Sequence, residues 1–110
     1  VEGVEHQQGV LQLLGGHAFE DTVGLIRFDH DGKTYCIYRS PNDEFFCTDG
    51  LCTHEQVHLE EGLVMDYEIE CPKHNAAFDY RTGEALRAPA CVNLNTYPVR
   101  LEGDRVMVDL

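Results

Sequence analysis

The chain has 110 residues, 20 of them acidic and 8 basic, for a net charge of −12, and that length predicts a single domain over residues 1–110. The acidic excess argues against nucleic acid as a partner, because neutralising phosphates takes clustered Lys and Arg, and no run of 18 apolar residues is present to span a bilayer. The same excess suits salt-sensitive docking to basic proteins and equally suits plain solubility.

In chain order, Val1 to Gly9 is polar and lacks the apolar core of an export signal. Val10 to Leu14 predicts a first short strand, ended by Gly15-Gly16. Asp21 to Asp29 predicts a second, and Lys33 to Arg39 a third that returns after the His30-Asp31-Gly32 turn, since Asp-Gly favours a hairpin. Ser40 to Asp43 reads as a turn and Glu44 to Thr48 as a strand. Met65 to Glu70 is expected as one strand, and Tyr80-Arg81-Thr82-Gly83 as a hairpin turn with Gly at its tip. Arg87 to Ala90 reads as a loop, and Thr96 to Leu101 with Arg105 to Leu110 as a closing hairpin around Glu102-Gly103-Asp104. No segment has a long helical period, so the fold class expected is all-β and antiparallel.

Two short stretches carry the chemistry. Cys52-Thr53-His54 is followed, after sixteen intervening residues, by Cys71-Pro72-Lys73-His74. Two thiols and two imidazoles in tight pairs form a metal-ligand set. The donors alone allow tetrahedral zinc or a Rieske 2Fe–2S cluster, in which two Cys hold one iron and two His the other. Common zinc fingers pair Cys with Cys and His with His. Here each pair is mixed, as two loops that each give a Cys to one iron and a His to the other would require.

A rival motif overlaps the first pair. His54-Glu55-Gln56-Val57-His58 matches H-E-x-x-H, which on a helix places two His on one face of a zinc protease site. Only three of its positions are fixed, Cys52 and Gly62 crowd it, and 110 residues leave little for a substrate cleft. His58 is then expected at the surface near the metal centre, and His6, His17 and His30 as solvated side chains. Of five cysteines, Cys36, Cys47 and Cys91 remain after the ligand pairs; their apolar neighbours predict buried small hydrophobes. Unpaired thiols fit a reducing cytosol and predict a cytoplasmic protein.

The ligand pairs, together with Leu59-Glu60-Glu61-Gly62, the run Ala77 to Gly83, and Ala88-Pro89-Ala90, resemble the Rieske ferredoxin family along most of the chain. The resemblance implies an antiparallel β-sandwich or barrel base with a small inserted cluster-binding lobe, here about 49–90. It implies one 2Fe–2S cluster held by Cys52, His54, Cys71 and His74, with the Pro89 loop folded over it. It also implies a one-electron carrier rather than an enzyme: a monomeric ferredoxin taking electrons from an NAD(P)H-dependent flavin reductase to a terminal Rieske non-haem iron oxygenase of bacterial ring hydroxylation. Other tasks for the same ligands are a zinc-stapled binding module, a redox sensor, or a subunit of an assimilatory reductase. High-potential relatives carry a further disulfide-forming Cys after each ligand pair, and none stands here. They also place Ser and Tyr hydroxyls where this chain has Ala76 and Phe78, so a potential near the low end of the Rieske range, about −150 mV, is expected. The chain departs from the family at Lys73, where an aromatic or apolar residue is usual, and at Asn75, where Gly is usual; Asn tolerates a left-handed turn better than most residues.

Overall fold

The computed structural model describes residues 4–7, 10–13, 24–53, 56–73, 75–90, 92–103 and 105–110. Among these the chain is antiparallel β-structure with one 3₁₀ turn at Leu59–Glu61 and no α-helix, so none of its helices could cross a membrane.

Strands β3 (Gly24–His30) and β4 (Lys33–Arg39) form the hairpin expected from Asp-Gly. Asp31 and Gly32 have φ of 51° and 77°, the two positive values that let a two-residue turn match the twist of its strands. Strand β5 (Phe45–Asp49) pairs with the other edge of β4, giving a sheet of order β10-β5-β4-β3 once β10 (Thr96–Tyr97) is added. A second sheet has order β1-β2-β12-β11, from β1 (Val4–Gln7), β2 (Val10–Leu13), β11 (Val99–Glu102) and β12 (Arg105–Asp109). A third, of order β6-β7-β8-β9, lies wholly within residues 63–87: β6 (Leu63–Met65), β7 (Glu68–Glu70), β8 (Ala77–Asp79) and β9 (Ala85–Arg87).

Three boundaries differ from the sequence reading. Met65 to Glu70 is not one strand: Asp66 takes φ of 53° and turns β6 back into β7. Asp is among the few side chains that enter the left-handed region readily, so a hairpin forms there without glycine. Thr96 to Leu101 is broken at Pro98, which has no N–H to give a ladder; β10 stays with β5 while β11 leaves for β12. The polar N-terminal stretch supplies β1, paired with β2. Leu14 and residues 21–23, parts of two expected strands, lie outside the described residues.

The core explains why these sheets belong together. Tyr35 and Ile37 of β4 pack with Phe28, Cys47, Val106 and Val108 between the first two sheets. The alternate residues of the same strand, Cys36 and Tyr38, point the other way and pack with Cys52, Leu59, Ile69, Cys71, Phe78 and Tyr80. A strand buried on both faces reads as a continuous apolar run instead of an alternation, as Tyr35-Cys36-Ile37-Tyr38 does. Tyr38 stacks on Tyr80 with centroids 4.4 Å apart and planes 4° from parallel, and its hydroxyl shares a 2.8 Å hydrogen bond with the Thr48 hydroxyl. Through β4 the base and the third sheet share one interior.

Candidate metal centre

Cys52 and Cys71 are both buried, and both belong to the second of these cores. Each opens a loop of the same form. The Cys52 N–H donates to the Val57 carbonyl at 2.8 Å, and the Cys71 N–H donates to the Ala76 carbonyl at 2.6 Å, each acceptor lying five positions on. The residue before each Cys pairs across the loop, Leu51 with His58 and Glu70 with Ala77. The residue before each acceptor, Gln56 in one loop and Asn75 in the other, has φ of 58°. The two loops are thus the same backbone turn used twice. Asn75 carried a sequence signal for that turn and Gln56 carried none.

Local contacts fix where the loops stand. The first leaves β5 through Asp49 and Gly50. Asp49 accepts from the Tyr97 hydroxyl at 2.6 Å, from Asn95 Nδ2 at 2.9 Å, and pairs with Lys33 Nζ at 2.9 Å. The Gly50 N–H donates to the Thr34 carbonyl, and the Gly50 carbonyl accepts from Leu59. Within the loop, the Thr53 hydroxyl donates to the Val92 carbonyl at 2.7 Å, tying it to the chain beyond Pro89. The second loop joins β7 to β8, and the 3₁₀ turn preceding β6 ends at Gly62, where a Cβ would run into the Glu70 carbonyl. Pro89 is exposed and follows a cis peptide bond.

Burial tends to raise the Asp49 carboxyl, but the hydrogen bonds from Tyr97, Lys33 and Asn95 outweigh it and hold Asp49 below the usual carboxylate range. A depressed carboxylate stabilises the fold above its unfolded value near 4 and loses that contribution as pH falls through the native value. Asp49→Asn should therefore cost about 1 kcal/mol at pH 7, a figure discounted for partial exposure. The gap between variant and parent should close below about pH 4, as urea melts at pH 7 and pH 3 will check.

Two buried thiols presented by matching loops are the sulfur half of the donor set that a Rieske cluster needs. His54 and His74 lie outside the described residues, as does Cys91. Cys36 and Cys47 behave as expected of small core side chains: burial pushes the Cys36 thiol up to about 12 and raises Cys47 as well, so both stay protonated at neutral pH. Of the H-E-x-x-H run, the described residues Val57 and His58 are not helical but run through the loop closure with Cys52 and Leu51. His58 departs from expectation. It is half-buried, and its Nδ1 is buried with no hydrogen-bond partner among the described residues. Its pairing opposite Leu51 draws it inward, which no local pattern announced. His30 is half-buried too, with Nε2 3.2 Å from Asp31. His17 and the side chain of His6 lie outside the described residues.

A profile of the Rieske [2Fe-2S] domain matches residues 18–98. The ferredoxin component of the naphthalene 1,2-dioxygenase system of Pseudomonas aeruginosa is 46% identical over 80 residues, covering 73% of this chain and 76% of that protein. The ferredoxin component of biphenyl 2,3-dioxygenase from Rhodococcus jostii is 43% identical over 78% of this chain and 79% of its own length. Among solved structures, the ferredoxin of carbazole 1,9a-dioxygenase from Nocardioides aromaticivorans superposes with a TM-score of 0.83 at 27% identity, covering 92% of this chain and 97% of that one. A ferredoxin in complex with the oxygenase of a carbazole 1,9a-dioxygenase superposes with a TM-score of 0.85 at 29% identity, covering 94% of each chain.

The fold is that of an iron–sulfur electron carrier. The chain belongs to the Rieske [2Fe-2S] domain family. Its cofactor is one Rieske-type 2Fe–2S cluster, which decides between the two readings of the donor set, and its task is electron transfer rather than catalysis.

Proposed function

We propose that Cys52, His54, Cys71 and His74 hold the cluster, in a lobe of about residues 49–90 within a single domain, and that the protein is the ferredoxin of a multicomponent ring-hydroxylating oxygenase. The observation that carries this reading is the repeated loop: two buried cysteines, each at the head of the same turn, with one His two positions after Cys52 and the other three positions after Cys71. Bound there, the cluster supplies reversible one-electron exchange. The chain's own residues do the rest. The β4 core buries the thiols, and the Asp49 and Gly50 anchors hold the first loop still, so little reorganisation accompanies the change of charge.

In this reading the electron comes from an NAD(P)H-dependent flavin reductase and goes to a terminal oxygenase. The relatives support it by name, being ferredoxin components of naphthalene and biphenyl dioxygenases, and one neighbour is seen with its oxygenase. The protein works as a cytoplasmic monomer that meets each partner transiently. Exposed Glu61, in the 3₁₀ turn that follows the first loop, adds to a net charge of −12 that suits a basic partner, so the rate of reduction by the reductase should fall as salt rises.

Ala76 and Phe78 are fully buried beside Cys71 and bring no hydroxyl to the centre. The midpoint should accordingly lie near about −150 mV. Protein-film voltammetry checks this, and a midpoint well above zero contradicts it. The function itself is tested by anaerobic mixing with a flavin reductase and NADH. One electron taken up per chain, and passed on to an added ring-hydroxylating oxygenase, supports the reading; failure of the chemically reduced protein to reduce any such oxygenase counts against it.

A further inference from the structure

Arg87 ends β9 at the position paired with Ala77, and its guanidinium reaches across the third sheet. Nη2 lies 2.8 Å from Glu70 Oε2 and Nη1 lies 3.4 Å from Glu68 Oε1, both on β7. The third nitrogen, Nε, donates to the carbonyl of Asn75 at 3.2 Å. Glu68 and Glu70 alternate with Ile69 and so share one face of β7, which gives the planar fork two carboxylates on one side and a loop carbonyl on the other.

An arginine that is 46% exposed gains little stability from such ion pairs. The geometry has a different use. Asn75 is the residue at φ of 58° in the second loop, immediately after His74 in the chain. We propose that Arg87 is a positioning residue for the second ligand loop: braced by Glu68 and Glu70, it holds the Asn75 carbonyl and with it the turn that presents the histidine ligand. The fork is the reason for arginine here. A lysine carries the same charge but only one nitrogen, and cannot serve two carboxylates and a carbonyl in one plane. The first loop has its own brace in Asp49, so each ligand loop is fastened to a strand outside itself.

This inference rests on His74 being a ligand, as proposed above. It predicts that Arg87→Lys and Arg87→Met both retain the cluster, and that in both the reduced-state EPR signal broadens as the imidazole takes up a spread of orientations. Arg87→Lys keeps the parent potential. Arg87→Met removes a cation and leaves Glu68 and Glu70 uncompensated beside the loop. Its equilibrium with a fixed-potential mediator should therefore move about threefold toward the oxidised form, or about 28 mV for one electron. Lines in both variants as narrow as the parent's overturn the proposal, whether or not melting temperature falls, because a merely structural arginine would change only the latter. Should Arg87→Met fail to fold, Arg87→Lys decides alone. A parent protein without the EPR signal is a different failure, that of the ligand assignment itself.

Discussion

Replacing Cys52 or Cys71 with Ser should leave a colourless protein that binds less than about a tenth of the parent's iron and melts about 10–20 °C lower. In the proposed ligand set each thiolate is one of two that hold the same iron, and a hydroxyl is a far harder, more weakly acidic donor. The loss of stability follows from where the loops sit. Both cysteines lie in one buried core, at the heads of loops from β5 and β7, so a centre bonded to both cross-links distant parts of the chain. Removing such a staple from a small domain costs about 2–5 kcal/mol, and about 4–5 °C accompanies each kcal/mol at this size. Iron analysis and thermal melts of the two variants, with Cys36→Ser beside them, check the claim. Cys36 is just as buried but should keep the chromophore.

Tyr80→Ala should cost about 3–5 kcal/mol, enough to lower the melting temperature by about 15–25 °C. The ring is fully buried, stacks on Tyr38 of β4 and lies tilted against Phe46 and Tyr67. Its hydroxyl donates to the Asp66 carbonyl, at the turn between β6 and β7. One side chain therefore joins the base sheet to the sheet that carries the second loop. Tyr80→Phe separates the two contributions. It keeps the stack and removes only the hydroxyl, so it should cost about 1 kcal/mol. If Tyr80→Ala costs no more than Tyr80→Phe, the ring is not the joint described here. Urea melts of both variants measure the difference.

The candidate ligand pairs stood out in the sequence more clearly than the elements around them. Cys52-Thr53-His54 and Cys71-Pro72-Lys73-His74 could be read directly because ligand chemistry demands particular side chains at short spacing. The Asp31-Gly32 hairpin and the Gly83 turn could be read because positive φ leaves a compositional mark, and Gly83 does have φ of 82°. Where the same backbone state is occupied by a residue with no such habit, the mark vanishes: Gln56 turns the first loop with nothing in the sequence to announce it. Asp66 is intermediate, a turn former hidden inside an apolar run, and it concealed the β6–β7 hairpin. The pairing of β2 with β12, the exit of the chain from one sheet to another at Pro98 and the reach of Arg87 to β7 all depend on strands distant in sequence. Periodicity within one segment carries no information about those.

The most direct test of the account is an absorption and EPR spectrum of the purified protein before and after dithionite. The assignment of Cys52, His54, Cys71 and His74 to one Rieske cluster predicts a red-brown, EPR-silent oxidised form. It predicts bleaching and a single paramagnetic species after the uptake of one electron per chain. A colourless protein that holds zinc in place of iron, and shows no signal in either state, would contradict it.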